Sequence, residues 1–253
     1  MKIAPSPNTL SILKNFSTIN SNLIVTEGNT LTTISPTKNI LVEAKVSEDF
    51  PKEFGIWDLS KFLGTVSMFK DVIFKFEENH IVIYSDVVAG KTPARAKVRY
   101  YYSSLEMLDK HMLSIAKKET GKRFNMPPAV VSFHLDAKDF NELQKAAAVL
   151  GAPDLALRST NDGRLTMNVF DRKDLSGHTY SIDVGEYTGD DTFEFLFKTE
   201  NLRMIPGSYD VSISDKKVSQ FQTKDKELTY WISLEVDSKY TAASKKKTHV
   251  TAS

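Results

Sequence analysis

The sequence contains no cysteine among its 253 residues. This absence excludes disulfide bonds, thiol nucleophiles and zinc sites with cysteine ligands, and it is typical of proteins in a reducing compartment. No apolar run approaches the roughly 20 residues that span a bilayer. The first residues, MKIAPSP, place prolines where a signal peptide would need an apolar stretch. We therefore expect neither a membrane partner nor export.

The sequence also lacks the usual signatures of catalysis. There is no GxSxG, HExxH, Ser-x-x-Lys or glycine-rich dinucleotide motif. The segment Gly90-Lys91-Thr92 resembles the end of a phosphate-binding loop, but Ser85 stands where that motif begins with glycine. The pair Asp190-Asp191 has no third carboxylate at metal-binding spacing. The sequence therefore predicts no catalytic residue, no metal site and no cofactor, and we expect a protein that is not an enzyme.

The charge of the chain is nearly balanced. Lysine and arginine total 33 and aspartate and glutamate total 32, which gives a net charge of +1. Four lysines and no acid lie within residues 239–253, so the rest of the chain carries a net charge of −3. If this protein meets DNA, its positive charge must be concentrated on one surface.

The first helix signal is Ser6 followed by Pro7. A serine side chain can cap free backbone amides, and proline is tolerated at the first helical position. The apolar spacing that follows predicts a helix over residues 7–19. Phe16 belongs to the apolar stripe of this helix, and Lys14 lies on the opposite side.

Two further segments repeat this arrangement. Asp58 and Asp136 each precede a stretch with helical apolar spacing, and a shorter helix is predicted over residues 199–204. In each of the three longer helices, lysine lies opposite the apolar stripe. Such a face is either an ordinary solvated surface or a surface that meets an anion. The outward lysines are Lys14, Lys61, Lys138 and Lys145.

The remaining sequence is typical of short antiparallel strands separated by turns. The predicted strands of the first half are 22–26, 30–34, 40–46, 54–57, 72–76, 81–85 and 96–102. Those of the second half are 130–135, 155–159, 165–170, 179–184, 193–197, 209–214, 218–222 and 228–235. Residues 103–128, with a helix-like pattern, are predicted to connect the halves.

The order of these elements recurs at an interval of about 130 to 140 residues, which indicates an internal repeat. The predicted fold class is α+β, with two similar domains that each pack antiparallel sheets on two helices. We place the first domain at residues 1–120 and the second at 121–238. A lysine-rich tail without fixed structure is predicted for residues 239–253.

Five collinear segments resemble one family, the sliding clamp (DNA polymerase processivity factor) of T-even-type bacteriophages. They are LKNFSTIN at 13–20, WDLSKFLGTVS at 57–67, YSIDVGEYTGDDTFEF at 180–195, NLRMIPGSY at 201–209 and EVDS at 235–238. The resemblance implies a homotrimer of two-domain subunits, closed into a ring around duplex DNA, that tethers the viral DNA polymerase. It also implies a place in the cytoplasm of a bacterial host, and a role in transcription coactivation.

The resemblance further implies a set of DNA-facing residues. Four match basic positions of the family pattern, namely Lys2, Lys14, Lys145 and Arg203. Two more are assigned to the DNA-facing side by helical projection alone, namely Lys61 and Lys138. The chain departs from the pattern at Ala148, where the family has a basic residue.

The implied partners are duplex DNA, bound without regard to sequence, the DNA polymerase and the clamp loader. The candidates for a partner pocket are residues that would equally suit a core, namely Met107, Leu108, Pro206 and Tyr209. For ring closure we expect edge strands at 72–85 in one subunit and at 209–214 in the next. The long connector and the lysine-rich tail depart from the family pattern.

A competing interpretation from another class is a β-rich phage structural or assembly protein that binds protein only. A hydrolase with a dispersed site is a third. A clamp would be retained on circular DNA after loading and lost after linearisation, whereas a structural protein would show neither behaviour.

Overall fold

The computed structural model describes residues 1–85, 96–108, 124–174 and 176–243. The chain divides into two compact units. Unit 1 comprises Met1–Met126, Arg203–Ile205 and Gln220–Ile232, and unit 2 comprises Pro127–Leu202, Pro206–Ser219 and Ser233–Ser253. Each unit thus combines one long stretch of chain with shorter pieces from elsewhere in the sequence. The domain boundary predicted at residue 120 and the phosphate-loop-like segment at 90–92 lie outside the described residues.

In the described ranges the α-helices are α1 (Pro7–Ile19), α2 (Leu59–Val66) and α3 (Ala137–Leu150). Two single 3-10 turns lie at Leu105–Met107 and Thr199–Asn201. The strands are β1 (Lys2–Ile3), β2 (Leu23–Val25), β3 (Gly28–Ile34), β4 (Ile40–Phe50), β5 (Phe54–Ile56), β6 (Val72–Phe76), β7 (His80–Ser85), β8 (Lys97–Tyr101), β9 (Val131–Leu135), β10 (Asp154–Ser159), β11 (Arg164–Phe170), β12 (Tyr180–Glu186), β13 (Thr192–Lys198), β14 (Tyr209–Ser214), β15 (Val218–Gln222), β16 (Leu228–Ser233) and β17 (Lys239–Thr241). Within these residues no helix has the length and apolar composition to cross a membrane.

The order of elements in the first half of the chain recurs in the second. The first series is β1, α1, β2, β3, β4, β5, α2, β6, β7 and β8. The second is β9, α3, β10, β11, β12, β13, the turn at Thr199–Asn201, β14, β15 and β16. This confirms the predicted α+β class and its repeat.

The helix predicted at 199–204 is wrong in its length, since only one 3-10 turn forms there. A longer helix would use the N–H of Ile205 to bond the carbonyl of Asn201. That N–H instead donates to the hydroxyl of Tyr230 at 3.1 Å. A contact distant in the sequence therefore ends the helical turn.

Unit 1 contains a four-stranded antiparallel sheet in the order β1-β6-β7-β8, a ladder β3-β4-β16 and a pair β2-β5. Helix α2 covers one face of the four-stranded sheet. The ring of Phe62 lies 5.6 Å from that of Phe74 and 5.0 Å from that of Tyr100, measured between centroids. Burying a ring such as Phe62 or Phe74 contributes about 1.5–3 kcal/mol. The core of unit 1 therefore includes the layer between α2 and this face of the sheet.

Unit 2 contains a five-stranded sheet in the order β12-β11-β10-β13-β17 and a pair β9-β14. On α3, Phe140 packs edge-on against Tyr209 at 5.8 Å between ring centroids.

Unit 2 also contains a buried charge. The carboxylate of Asp154 contacts Arg172 Nε at 3.0 Å and Lys198 Nζ at 2.6 Å. A buried charge of this kind is tolerated when it is paired and hydrogen-bonded, as it is here.

The prediction that fixed structure ends before residue 239 is wrong for the first residues of the tail. Strand β17 pairs with β13, with Tyr240 opposite Phe193. The Tyr240 hydroxyl donates to Asp191 Oδ2 at 2.8 Å, and its ring stacks at 6.3 Å from that of Phe195. The polar, lysine-rich composition of the tail predicted disorder. The single aromatic residue, Tyr240, changes that average composition very little. The rest of the predicted tail, 244–253, lies outside the described residues.

The strand edges predicted for ring closure are also wrong. Strands β6 and β7 lie inside the order β1-β6-β7-β8, and β14 pairs with β9 before a turn at 214–217 leads into β15. Strands β8 and β12 instead stand at the edges of their sheets. Residue propensity identifies strands, but their order within a sheet depends on contacts distant in the sequence.

Candidate nucleic-acid interface

The start of α1 is fixed to the neighbouring strand by hydroxyl and carboxylate groups. Ser6 Oγ accepts from the N–H of Thr9 at 3.1 Å, as predicted for a cap. The carboxylate of Glu48, on β4, accepts from the N–H of Ser6 and from the Thr9 hydroxyl. Burial raises the pKa of Glu48, but these hydrogen bonds outweigh burial and hold the pKa below its ordinary value of 4.5. The helix that carries Lys14 therefore begins at a defined place.

Lys14 is the only charged residue of α1. It is exposed, on the side opposite buried Phe16, and it forms no ion pair with the residues that the structure describes. The hydroxyls of Ser17 and Thr18 donate to backbone carbonyls one turn earlier, each at 2.7 Å. Lys14 thus supplies the formal charge of the exposed side of this helix.

A groove of about 650 Å³ lies between the exposed sides of α1 and α2. Lys14 lines it from α1, Ser60 lines it from α2, and its one acidic neighbour is Asp71. Lys61 follows Ser60 and is exposed, and α2 contains no acidic residue. Lys14 therefore lines this groove, and Lys61 is exposed on α2 next to one of the lining residues.

Arg203 reaches the same helix from a distant part of the chain. Its Nη1 donates to the carbonyl oxygen of Thr18 at 2.7 Å, at the C-terminal end of α1. That end carries free carbonyl groups and the negative pole of the helix dipole, so it favours a cation. In return, Asn15 Nδ2 donates to the carbonyl oxygen of Arg203 at 2.9 Å. The structure thus brings Arg203 and Lys14 to the same helix.

Asn15 has a second contact that the sequence did not reveal. The buried Tyr230 hydroxyl donates to Asn15 Oδ1 at 2.8 Å and accepts from the N–H of Ile205 at 3.1 Å. These bonds hold the segment Arg203–Ile205 against α1 within unit 1. Residues 15, 205 and 230 are too far apart in the chain for local patterns to indicate the contact.

Lys2 lies apart from the other predicted residues of unit 1. It stands opposite Lys75 in the pairing of β1 with β6, so both side chains share one face of the sheet. Its Nζ lies 5.9 Å from the ring of Tyr84 on that face. The neighbouring residue Phe74 points to the other face, against α2. The structure therefore does not bring Lys2 to the surface formed by α1 and α2.

In unit 2 the predicted basic residues lie on α3. Lys145 is exposed and forms no ion pair with the described residues. Lys138 is also exposed, but its Nζ lies 3.9 Å from Glu142 Oε1. Glu142 accepts in addition from the hydroxyl of Tyr180 at 2.9 Å. Glu142 partly neutralises Lys138, so Lys145 is the stronger source of positive potential on this helix.

The predicted pocket residues divide between exposed and buried positions. Met107 is 70% exposed, whereas Leu108 is buried beside Ile24. Pro206 is exposed, whereas Tyr209 is buried against Phe140. Leu108 and Tyr209 therefore belong to cores, and only Met107 and Pro206 offer surface. The connector shows the turn at Leu105–Met107, and residues 109–123 lie outside the described part.

The pair Asp190-Asp191, considered from the sequence as a possible metal site, has a structural explanation. Asp191 accepts from the Tyr240 hydroxyl and from the N–H of Ala243, both at 2.8 Å. These bonds hold the pKa of Asp191 below its ordinary value. Within the described ranges, no group of three or more histidine or acidic residues could hold a metal ion. The carboxylate of Asp191 instead anchors the chain after β17.

Two family models match the chain in the order of its two halves. The DNA polymerase processivity factor model matches residues 6–73, and the gp45 sliding clamp, C terminal, model matches residues 132–236. Relatives extend the match. The sliding clamp of Vibrio phage KVP40 is 28% identical over 218 residues, which are 85% of this chain and 91% of that protein. The chain belongs to the sliding-clamp family.

Two more phage sliding clamps match over almost their full length. Those of Escherichia phage RB69 and Enterobacteria phage T4 are each 26% identical to this clamp over 239 residues, which are 92% of this chain and 97% of those proteins. The predicted resemblance is thereby confirmed.

Solved structures show the same fold at much lower sequence identity. The PCNA2–PCNA3 complex of Sulfolobus tokodaii superposes on this clamp with a TM-score of 0.65 at 11% identity, covering 92% of this chain and 98% of that one. The proliferating cellular nuclear antigen of Entamoeba histolytica gives a TM-score of 0.64 at 11% identity, covering 92% and 97%. The fold is the DNA-clamp fold.

Proposed function

We propose that this sliding clamp closes as a homotrimeric ring around duplex DNA and tethers the viral DNA polymerase for processive replication. The observation that carries the proposal is the internal repeat, in which β1 to β8 and β9 to β16 follow one order, in a chain of the processivity-factor family. Three copies would supply six similar repeats. Such repeats can form a ring with nearly equivalent contacts throughout.

The repeat also favours one way to close the ring. Within the chain, β16 pairs antiparallel with β4, with Tyr230 opposite Val42. By position in the repeat, the counterpart of β16 is β8 and that of β4 is β12. Both counterparts stand at sheet edges, and exposed edges readily pair with another chain. The ring then closes through β8 of one subunit and β12 of the next.

The basic residues of the helices suit a DNA-facing surface that slides. Lys14, Lys61, Lys145 and Arg203 are exposed on or beside the helices. A charge pair at 4 Å gains only about 1 kcal/mol in water, and distant contacts gain less. The lysines therefore attract DNA without holding it at one sequence. Retention comes from the closed ring, because a ring around a long duplex can come off only by opening or by reaching an end of the duplex.

The remaining roles follow from this assignment. The partners are the DNA polymerase and a clamp loader, whose linear segments would dock at the exposed Met107 of unit 1 or at the exposed Pro206 of unit 2. The clamp itself catalyses no reaction, and it works in the cytoplasm of the bacterial host. These roles rest on the family and on the exposure of those two side chains.

The first test is the solution mass by light scattering across a concentration series. A mass near three times 28.4 kDa is expected. A persistent monomer would remove the ring and the topological mechanism.

The second test is retention on DNA after loading. The protein should stay on circular DNA and leave once the circle is cut. Retention that does not depend on topology would favour an ordinary binding protein.

A further inference from the structure

The face of the four-stranded sheet turned away from α2 is strongly basic. We call it the basic face, formed by β6, β7 and β8 together with Lys2 of β1. A shallow groove of about 450 Å³ runs over it, lined by Lys75, Glu77, His80, Val82, Tyr84, Lys97 and Arg99. Its single acid, Glu77, is paired with Lys75 at 2.5 Å. The face therefore keeps an excess of positive charge in unit 1.

The basic charge extends to the free edge of this sheet. Along β8, Lys97, Arg99 and Tyr101 are exposed on the basic face, while Val98 and Tyr100 turn to the other side. Tyr101 is 60% exposed, which is unusual for a large aromatic residue on a strand. Its ring lies 5.3 Å from that of His80 between centroids, in a tilted arrangement. An edge with an exposed aromatic residue and two cations suits an acidic partner strand.

The edge of unit 2 has the complementary charge. On β12, Ser181, Asp183 and Glu186 are exposed, whereas Tyr180 and Ile182 are half-buried on the side of α3. Arg164 contacts both Asp183 and Glu186, so these three residues carry a net charge of −1. Backbone and arginine hydrogen bonds lower the pKa of Asp183, so it remains ionised near neutral pH.

We propose that Lys97 and Arg99 on β8 of one copy form an electrostatic latch with Asp183 and Glu186 on β12 of the next. The latch rests on the proposed trimer and assigns specific charged residues to the interface between its subunits. In an antiparallel pair that keeps the half-buried sides together, the exposed residues of both strands lie on one face. In a register that overlaps the middle of both strands, Asp183 lies directly or diagonally opposite Lys97 or Arg99, within reach of long side chains.

The latch gives ring closure a dependence on salt. Its charges lie on an exposed face, and the screening length falls from about 10 Å at 0.1 M salt to about 3 Å at 1 M. The ring should therefore open more readily as ionic strength rises, while the backbone pairing of the two edges is much less affected.

The test is a charge inversion of each side, read by sedimentation velocity at about 0.05 M and about 0.5 M NaCl. The variant K97E/R99E inverts β8. The variant R164E/D183R/E186R inverts β12 while keeping its internal ion pairs. A third variant combines all five changes, and K173E/K224E serves as a control with two exposed lysines reversed elsewhere. Circular dichroism and urea unfolding check that each variant folds.

Each one-sided inversion should weaken trimer formation by about tenfold or more at low salt. The combined variant should restore it, and the control should match the wild type. A trimer that tolerates both inversions, or that the combined variant does not restore, would overturn the latch and leave the proposed ring intact. A wild type that stays monomeric at every salt and concentration would overturn both.

Discussion

The guanidinium of Arg203 donates to the carbonyl oxygen of Thr18 at 2.7 Å. These residues are far apart in the sequence, yet both belong to unit 1. The contact places a cation at the C-terminal end of α1, the helix that also carries Lys14. It depends on the backbone of Arg203 being held by Asn15 at 2.9 Å, and Asn15 in turn is held by Tyr230. A hydrogen-bond network that begins at the buried Tyr230 therefore fixes the position of a surface charge.

The first prediction concerns the buried hydroxyl of that network. Tyr230→Phe removes the donor to Asn15 Oδ1 and the acceptor for the N–H of Ile205, so two half-buried polar groups each lose this hydrogen bond. We expect a loss of about 1–2 kcal/mol in the free energy of unfolding. Urea unfolding followed by fluorescence measures it. The same substitution at Tyr84, whose hydroxyl forms no hydrogen bond with the described residues, is the control and should change stability by less than about 0.5 kcal/mol.

The second prediction concerns Gly55, where the connector meets β5. A Cβ at Gly55 would lie 2.7 Å from Leu108 Cδ1 and 2.9 Å from the carbonyl oxygen of Ser103. The backbone oxygen cannot move aside without breaking the bridge between these two residues. Gly55→Ala should therefore destabilise the clamp by about 1–3 kcal/mol in thermal unfolding.

Gly64 provides a matched control for this substitution. It lies within α2, and a Cβ there would meet no atom within 4 Å beyond its chain neighbours and the backbone of its own helix. Alanine favours a helix more than glycine, so Gly64→Ala should stabilise the clamp by about 0.5–1 kcal/mol. If both substitutions shifted the melting temperature in the same direction, the close approach at Gly55 would be ruled out as the cause.

Local signals predicted the positions of the three α-helices, although the side chain of Asp136 makes no cap bond to α3. The bounds of α1 follow from Ser6, Pro7 and one apolar stripe, and Asp58 caps α2 by accepting from the N–H of Lys61 at 2.8 Å. These signals lie within a few residues of each helix, where capping and periodicity determine the conformation. The outward positions of Lys14 and Lys61 follow from the same periodicity.

Contacts between segments distant in the chain could not be predicted from the sequence. The place of Arg203–Ile205 in unit 1, the position of Lys2 on the opposite face and the short turn at Thr199–Asn201 all depend on such contacts. The hydrogen bonds of Glu48 to the start of α1 also join residues distant in the sequence. Propensity describes segments one at a time, so the order of strands in each sheet remained open as well.

The third prediction is the pH dependence contributed by Glu48. Burial raises the pKa of this carboxyl, but hydrogen bonds from Thr9 and Ser6 lower it overall below 4.5. A group whose pKa is lower in the folded state stabilises the fold above its unfolded pKa and loses that contribution as pH falls through the folded pKa. Glu48→Gln should cost about 1 kcal/mol near neutral pH, since a neutral amide is a weaker acceptor.

The cost of Glu48→Gln should shrink as pH falls below 4.5 and vanish once the wild-type carboxyl is protonated. Urea unfolding at a series of pH values measures the difference. Glu27→Gln, at an exposed residue with no partner among the described residues, should show no such trend. A cost for Glu48→Gln that stayed constant down to the lowest pH would contradict the role of its charge.

The last prediction separates two lysines that the family pattern treats alike. Lys14 lies in the groove beside α2, whereas Lys2 lies on the basic face, on the other side of the sheet. If DNA meets the helices, Lys14→Ala should weaken binding of the trimer to duplex DNA and reduce the salt slope of log K by up to about 0.9 per subunit. Lys2→Ala should leave the slope near that of the wild type, as should Lys173→Ala at an unrelated exposed site. Fluorescence anisotropy with a short duplex across a salt series measures all three.

An equal loss for Lys2→Ala and Lys14→Ala would mean that DNA contacts both sides of the sheet. The assignment of the helices as the only DNA-facing surface would then be wrong.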